Sequence, residues 1–174
     1  MEELSHYNAI MNILELPAYL ATRRNHALEH ATLKILARNY DDKTLAGHSN
    51  PTGFFIFGDI ATDDLRNAIQ EAMTRLRAGE HELAIHPGCG TNLATSMVLP
   101  ATFVFAPLQG ARTRRGQLLL LPLALLLGAV GFLLSKPLGP WLQRNVTTEA
   151  DLGNLQVTEI RHTRKGVHRI TTKN

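Results

Sequence analysis

LLLLPLALLLGAVGFLL, residues 118–134, is the stretch that divides this sequence into parts of different character, because it contains no charged side chain. A helix that spans a bilayer needs about 20 apolar residues, with a lower limit of roughly 17. The stretch is near that limit and is followed by Lys136 and Trp141, residue types that are typical of the membrane–water interface. We therefore predict that it forms a membrane-spanning helix.

A second apolar segment, residues 93–108, precedes the first and contains Pro100 and Pro107. The loop that joins the two segments holds Arg112, Arg114 and Arg115. The two segments predict a transmembrane helical hairpin over residues 93–135, followed by an interfacial exit segment over residues 136–144. The first half of the hairpin could instead be re-entrant, with protein neighbours satisfying the backbone around its prolines.

The polar sequence on both sides of the hairpin indicates one head domain, formed by residues 1–92 and 145–174 together. Short apolar or β-branched runs predict strands at residues 54–58, 83–86, 155–162 and 167–172. An isolated β-hairpin is marginal in water, and a two-span insertion returns the chain to its starting side, so these strands can share one sheet. The predicted fold class is α+β: a small, mainly antiparallel sheet with packed helices, plus an inserted two-helix transmembrane hairpin.

Apolar side chains at helical spacing predict the helices of the head. Residues 4–22 carry one such stripe, in which Pro17 either kinks the helix or begins a second one. Residues 22–40 contain neither proline nor glycine, and their stripe places two histidines on the inward face. Residues 62–78 predict a further amphipathic helix.

Composition excludes several classes of protein. The 174 residues suffice for one domain with its own core, and the net charge of +3 is small and dispersed. No basic run is interleaved with aromatic residues, so we expect no nucleic-acid partner. Cys89 is the only cysteine, which excludes an intrachain disulfide. Because the start Met1-Glu2-Glu3 is acidic and no apolar segment follows it, we expect no cleavable signal peptide.

The clearest chemical pattern is His26-Ala27-Leu28-Glu29-His30, which reads H-x-x-E-H. On a helix, histidines at positions i and i+4 point the same way, and Glu29 lies beside the second. Two imidazoles can ligate a metal ion, and a nearby carboxylate can take a proton from water. The pattern predicts a Zn2+ site with His26 and His30 as ligands and Glu29 as general base. The alternative is a pair of buried structural histidines bonded to their neighbours.

A catalytic zinc ion needs a third protein ligand. We prefer His86, which ends a predicted strand beside a turn and could there meet a helix. The other candidates are His48, Glu80, Glu82 and Cys89. If Cys89 belonged to a closed set of four ligands, the metal would stabilise the head without chemistry. The polar turns at residues 47–53 and 86–92 either line a cleft above the histidine helix or only connect neighbouring elements.

The H-x-x-E-H motif resembles that of the inverted-motif zinc peptidases, the inverzincins. This resemblance implies a hydrolase in which His26 and His30 are ligands and Glu29 is the base; those enzymes are much larger and supply a glutamate ligand far downstream. Over most of its length the chain is similar to a family of small, uncharacterised bacterial membrane proteins. The shared motifs are N-H-A-L-E-H-A (25–31), G-H-S-N-P-x-G-F (47–54) and H-P-x-C-G-T-N (86–92). That similarity implies a bacterial membrane protein and names no substrate.

Two kinds of function fit these patterns. The first is a membrane-anchored, zinc-dependent hydrolase. The second is a non-enzymatic protein whose head binds a protein partner, forms a homo-oligomer or assists assembly of a membrane complex. Both imply the lipid bilayer as a partner and a multi-pass location in the bacterial inner (plasma) membrane. The loop arginines favour an outer head, whereas the expected lack of a signal peptide favours a cytoplasmic head, which we adopt.

Overall fold

The computed structural model describes residues 13–111 and 113–174. The chain forms two compact units, of which one contains the residues up to His86 together with Arg144–Asn174, and the other contains Pro87–Gln143. We call the first unit the head and the second the helical hairpin. Helices and a small antiparallel sheet make up the described residues, which confirms the α+β class expected from the sequence.

The head contains both helices and strands. Its elements are α1 (Pro17–Leu36), β1 (Ala46–Asn50), β2 (Gly53–Phe57), α2 (Thr62–Arg77), a 3-10 turn (His81–Ala84), β3 (Gln156–Arg164) and β4 (Val167–Lys173). Pro17 begins α1, where its missing N–H would have had no intrahelical acceptor. Of the two alternatives for this proline, the structure therefore has the start of a helix. The stripe predicted over residues 4–22 falls in part on residues 1–12, which lie outside the described residues.

The strands pair in the order β1-β2-β4-β3, and each neighbouring pair is antiparallel. β3 and β4 form the predicted hairpin, which turns at Gly166 with a φ of +69°, a conformation that glycine adopts at no steric cost. β2 pairs with β4. A strand that precedes the helical hairpin in the sequence thus lies beside one that follows it, as predicted.

Helix α1 lies at the centre of the head. It contacts β1, β2, α2 and the 3-10 turn, and its residues are consequently buried on several faces. The sequence predicted one buried face of this helix, but the buried surface is wider: Glu29 and Thr32 are buried as well as His30. The largest fully buried apolar side chains around the helix include Leu28, Phe54, Ile56, Leu65, Ile69 and Ile170. Each contributes about 1.5–3 kcal/mol by removal of its surface from water, and together they hold α1 in a fixed register.

Two secondary-structure predictions were wrong. Residues 83–86 are not a strand, because His81–Ala84 form a 3-10 turn that buries Ala84. So short an apolar run fits a turn as well as a strand. Part of the segment predicted as a polar loop is β1, an edge strand without apolar alternation. Its backbone pairs with the phenylalanine-rich β2, and this pairing outweighs the low strand propensity of its own residues.

The helical hairpin consists of α3 (Gly90–Gln109) and α4 (Arg114–Leu142). Both are long and apolar enough to cross a membrane, and α3 continues through Pro100 and Pro107. Small residues of α4 pack against α3; the buried ones are Ala124, Gly128, Gly131, Ser135 and Gly139. Large side chains point away from this contact, as Leu119 shows at 82% exposure.

Close helix packing predicts that Gly131→Leu destabilises the hairpin. A Cβ atom at this position would lie 3.0 Å from Cα of Pro100 and 3.2 Å from the carbonyl oxygen of Leu99, so backbone would have to move. We expect a loss of about 1–3 kcal/mol, seen as a lower unfolding temperature of the purified protein in mild detergent. Gly110→Leu is the control, because a Cβ atom there meets only the Pro107 carbonyl oxygen, at 3.6 Å. Equal effects of both substitutions would contradict the packing described.

Candidate metal centre

His26 and His30 lie one turn apart on α1 and point the same way, as the i, i+4 spacing predicts. Their ring centroids are 4.2 Å apart with an interplanar angle of 60°, and one ligand nitrogen from each lies within 4.8 Å of the other. Two nitrogens bound to one tetrahedral zinc ion would be separated by about 3.3 Å. The two nitrogens are therefore close enough that one ion could bind both.

Backbone carbonyls fix the orientation of both rings. Nδ1 of His26 donates to the carbonyl oxygen of Thr147 at 2.8 Å, and Nδ1 of His30 donates to that of Ala84 at 2.6 Å. Since a carbonyl oxygen can only accept, the proton is assigned to Nδ1 in each ring, and Nε2 carries the lone pair. Histidines that ligate metals share this arrangement, in which the second ring N–H is held by a carbonyl or carboxylate.

His86 lies close to the ring of His30. Its ring centroid is 5.6 Å from that of His30, with an interplanar angle of 37°. The segment before it is tied to α1, because Nζ of Lys34 donates to the carbonyl oxygen of Glu82 at 2.6 Å. Burial lowers the pKa of Lys34, while the Glu82 carboxylate acts in the opposite direction. The structure thus places His86 beside His30, and its part as a third ligand stays a prediction.

Glu29 faces the sheet and is held by β1. It is 3% exposed, and its Oε2 accepts a hydrogen bond from the Ser49 hydroxyl at 2.5 Å. Its carboxylate also packs on the backbone of Gly47, where a Cβ atom would overlap it. Ser49 therefore orients the carboxylate that the sequence motif assigns as a base, and Gly47 provides the room for it.

The other ligand candidates from the sequence form other contacts, lie on another face of the head or belong to the helical hairpin. Both carboxylate oxygens of Glu80 accept from Nε of Arg75, at 3.1 and 3.0 Å, and those of Glu82 accept from Arg144, at 2.7 and 2.9 Å. His48 is exposed and alternates with Gly47 and Ser49 along β1, so it lies on the opposite face from Glu29. Cys89 is buried and precedes α3 in the helical hairpin, where its Sγ accepts a hydrogen bond from the backbone N–H of Thr91 at 3.4 Å.

The sequence profile of a family described as "Domain of unknown function (DUF6391)" matches residues 21–160. The chain belongs to this family. The match includes most of α1 and both polar turns of the sequence analysis. A similar protein of the bacterium Picosynechococcus sp., described as uncharacterized, is 36% identical over 158 residues, which cover 81% of this chain and 72% of the relative. No solved structure matches the chain.

Membership of the DUF6391 family confirms the resemblance to uncharacterised bacterial proteins. The family description names no activity, so the resemblance to zinc peptidases stays a prediction. Neither the Thr147 and Ala84 carbonyls nor Ser49 was assigned a part in the site from the sequence. The turn composition of residues 47–53 hinted at a special role for that segment, whereas a backbone carbonyl leaves no signal in a sequence.

Proposed function

We propose that this protein is a bacterial membrane protein whose head holds a zinc ion through His26 and His30. The observation that carries the proposal is the pair of hydrogen bonds from Nδ1 to backbone carbonyls. They set both rings in the tautomer that presents Nε2 for ligation and hold them on one side of a buried helix. Nitrogen donors of this kind are typical of zinc sites.

His86 is our third ligand, supported by its ring contact with His30. Cys89 follows His86 by three residues and is the candidate for a fourth ligand from the sequence. The number of ligands decides the function, because three protein ligands leave a position for water whereas four close a structural site.

With an open position, the head would be a zinc-dependent hydrolase. Zinc, when bound, would supply a positive charge that polarises the bond to be cleaved. Glu29 would take a proton from the attacking water and return it to the leaving group as that bond breaks. Ser49, which donates to Oε2 of Glu29, would hold the carboxylate in place.

A non-enzymatic function is the second candidate, and the surroundings of Glu29 favour it. A carboxylate that is 3% exposed, bonded to Ser49 and packed on Gly47 also has the features of a structural link between α1 and β1. In that case the zinc site would stiffen the head for binding a protein partner or another copy of the chain. Glu29→Gln distinguishes the two candidates. If the head is a hydrolase, the substitution should abolish hydrolysis but leave the zinc content unchanged. If Glu29 is only a structural link, both the function and the zinc content should stay essentially intact.

The membrane part of the proposal rests on the exposed apolar surface of α3 and α4. Phe105, Leu118 and Leu119 are 60%, 68% and 82% exposed, far more contiguous apolar surface than a protein in water usually presents. At 1.5 Å per residue α3 is about 30 Å long, the thickness of a bilayer core. We place the protein in the inner membrane with a cytoplasmic head.

Three measurements test the proposed function. Purified protein should contain about one zinc ion per chain by elemental analysis. Membranes washed with alkaline carbonate should retain the protein, and protease should cut the head in inverted vesicles but not in intact spheroplasts. Zinc-free protein from a zinc-supplemented culture would overturn the metal site, and release by carbonate would overturn the membrane location.

A further inference from the structure

The helical hairpin contains a groove of about 530 Å³ between the start of α3 and the last third of α4. Leu93, Phe132 and Pro140 give it apolar walls, and Phe132 remains 48% exposed. The hydroxyls of Ser96 and Ser135 also line it, but each donates to a carbonyl oxygen of its own helix, at 2.8 and 2.7 Å. The groove therefore offers mainly apolar contact.

Lys136 is the one charged side chain among the described residues that line this groove. Its ammonium lies 5.5 Å from the centroid of the Phe132 ring, so the cation is held over the apolar wall. No carboxylate lines the groove among those residues. An occupant must consequently combine an apolar part with a negative charge.

We propose that the groove binds an anionic phospholipid, with the phosphate beside Lys136 and an acyl chain along Phe132. The inference rests on the proposed membrane location, because only there is such a lipid abundant beside the hairpin. From Phe132 to Pro140 the helix rises by about 12 Å, enough for a glycerophosphate group and the first part of a chain. Lysine at the end of an apolar helix is the residue type that attracts anionic headgroups.

Native mass spectrometry of the full chain, released from vesicles of phosphatidylglycerol and phosphatidylcholine in equal amounts, tests this proposal. Wild-type protein should retain one phosphatidylglycerol about tenfold more often than phosphatidylcholine. Lys136→Gln should lose this preference, and Lys136→Arg should keep it. Arg114→Gln is the matched control, because it removes a cation from the other end of α4.

The outcomes separate the lipid site from the proposed function. The lipid site is overturned if the wild type retains the two lipids equally, or if Lys136→Gln keeps the preference for phosphatidylglycerol. Membrane association that resists carbonate would still leave the proposed location intact. A lipid-free dimer would overturn it as well, since a second copy would then fill the groove. Zinc content should be the same in all the variants, so loss of zinc in Lys136→Gln would indicate general disruption of the protein. In that case Lys136→Arg is compared with the wild type: a retained preference for phosphatidylglycerol supports the lipid site, and a lost preference overturns it.

Discussion

His26→Ala combined with His30→Ala should lower the zinc content of the purified protein from about one ion per chain to below about 0.1. The two rings are the pair whose Nδ1 atoms are held by the carbonyls of Thr147 and Ala84, so their removal takes away both oriented ligands at once. Elemental analysis after exchange into metal-free buffer measures the effect. An undiminished zinc content would disprove the site.

His48→Ala is the matched control for this experiment. It also removes an imidazole from the head, but His48 is exposed and lies on the other face of β1 from Glu29. Its zinc content should equal that of the wild type. Circular dichroism should show that the double variant is folded, because loss of the head itself would also remove the metal.

Single substitutions of His86 and Cys89 then assign the remaining ligands. If His86 is the third ligand and the site is open, His86→Ala should weaken zinc binding by on the order of 100-fold and Cys89→Ser should leave it unchanged. Comparable losses in both would indicate a closed site of four ligands and favour the non-enzymatic function. Competition with a fluorescent zinc chelator gives both affinities.

The parts of the fold that follow from periodicity could be predicted from the sequence. The 3.6-residue spacing of the segment around His26 gives α1, and the β-branched runs around Gly166 give the β3–β4 hairpin. Pairing of β2 with β4 follows once the apolar insertion is recognised, since the chain must return to complete a sheet. These features depend on residue types along a segment, which a sequence records directly.

The features that the sequence did not reveal depend on contacts between segments. β1 consists of Ala46-Gly47-His48-Ser49-Asn50 and becomes a strand only because β2 offers it a partner. The residues between His81 and His86 form a turn because Ala84 is drawn into the core and Lys34 holds the carbonyl of Glu82. For the site, the motif gave the histidines, whereas the groups that orient them are backbone atoms from distant parts of the chain.

Gly47→Ala should destabilise the head by about 3 kcal/mol, since the new Cβ would overlap the buried carboxylate of Glu29. The carboxylate cannot simply withdraw, because it would lose the hydrogen bond from the Ser49 hydroxyl while its polar atoms remained buried. Denaturant unfolding of the purified full chain, followed by circular dichroism, measures the loss of stability. Gly90→Ala is the control, because a Cβ atom there meets nothing within 4 Å.

A double-mutant cycle with Glu29→Ala identifies the cause of this loss. Once the carboxylate is absent, Gly47→Ala no longer creates an overlap, so its additional cost in the Glu29→Ala background should fall by about 1–3 kcal/mol. Independent, additive effects would mean that Gly47 is required for another reason and that the packing of Glu29 on β1 does not limit stability. A strong coupling would show that the H-x-x-E-H helix and the Gly47–Ser49 strand act as one unit, because the position of Glu29 is then set by β1 as much as by α1.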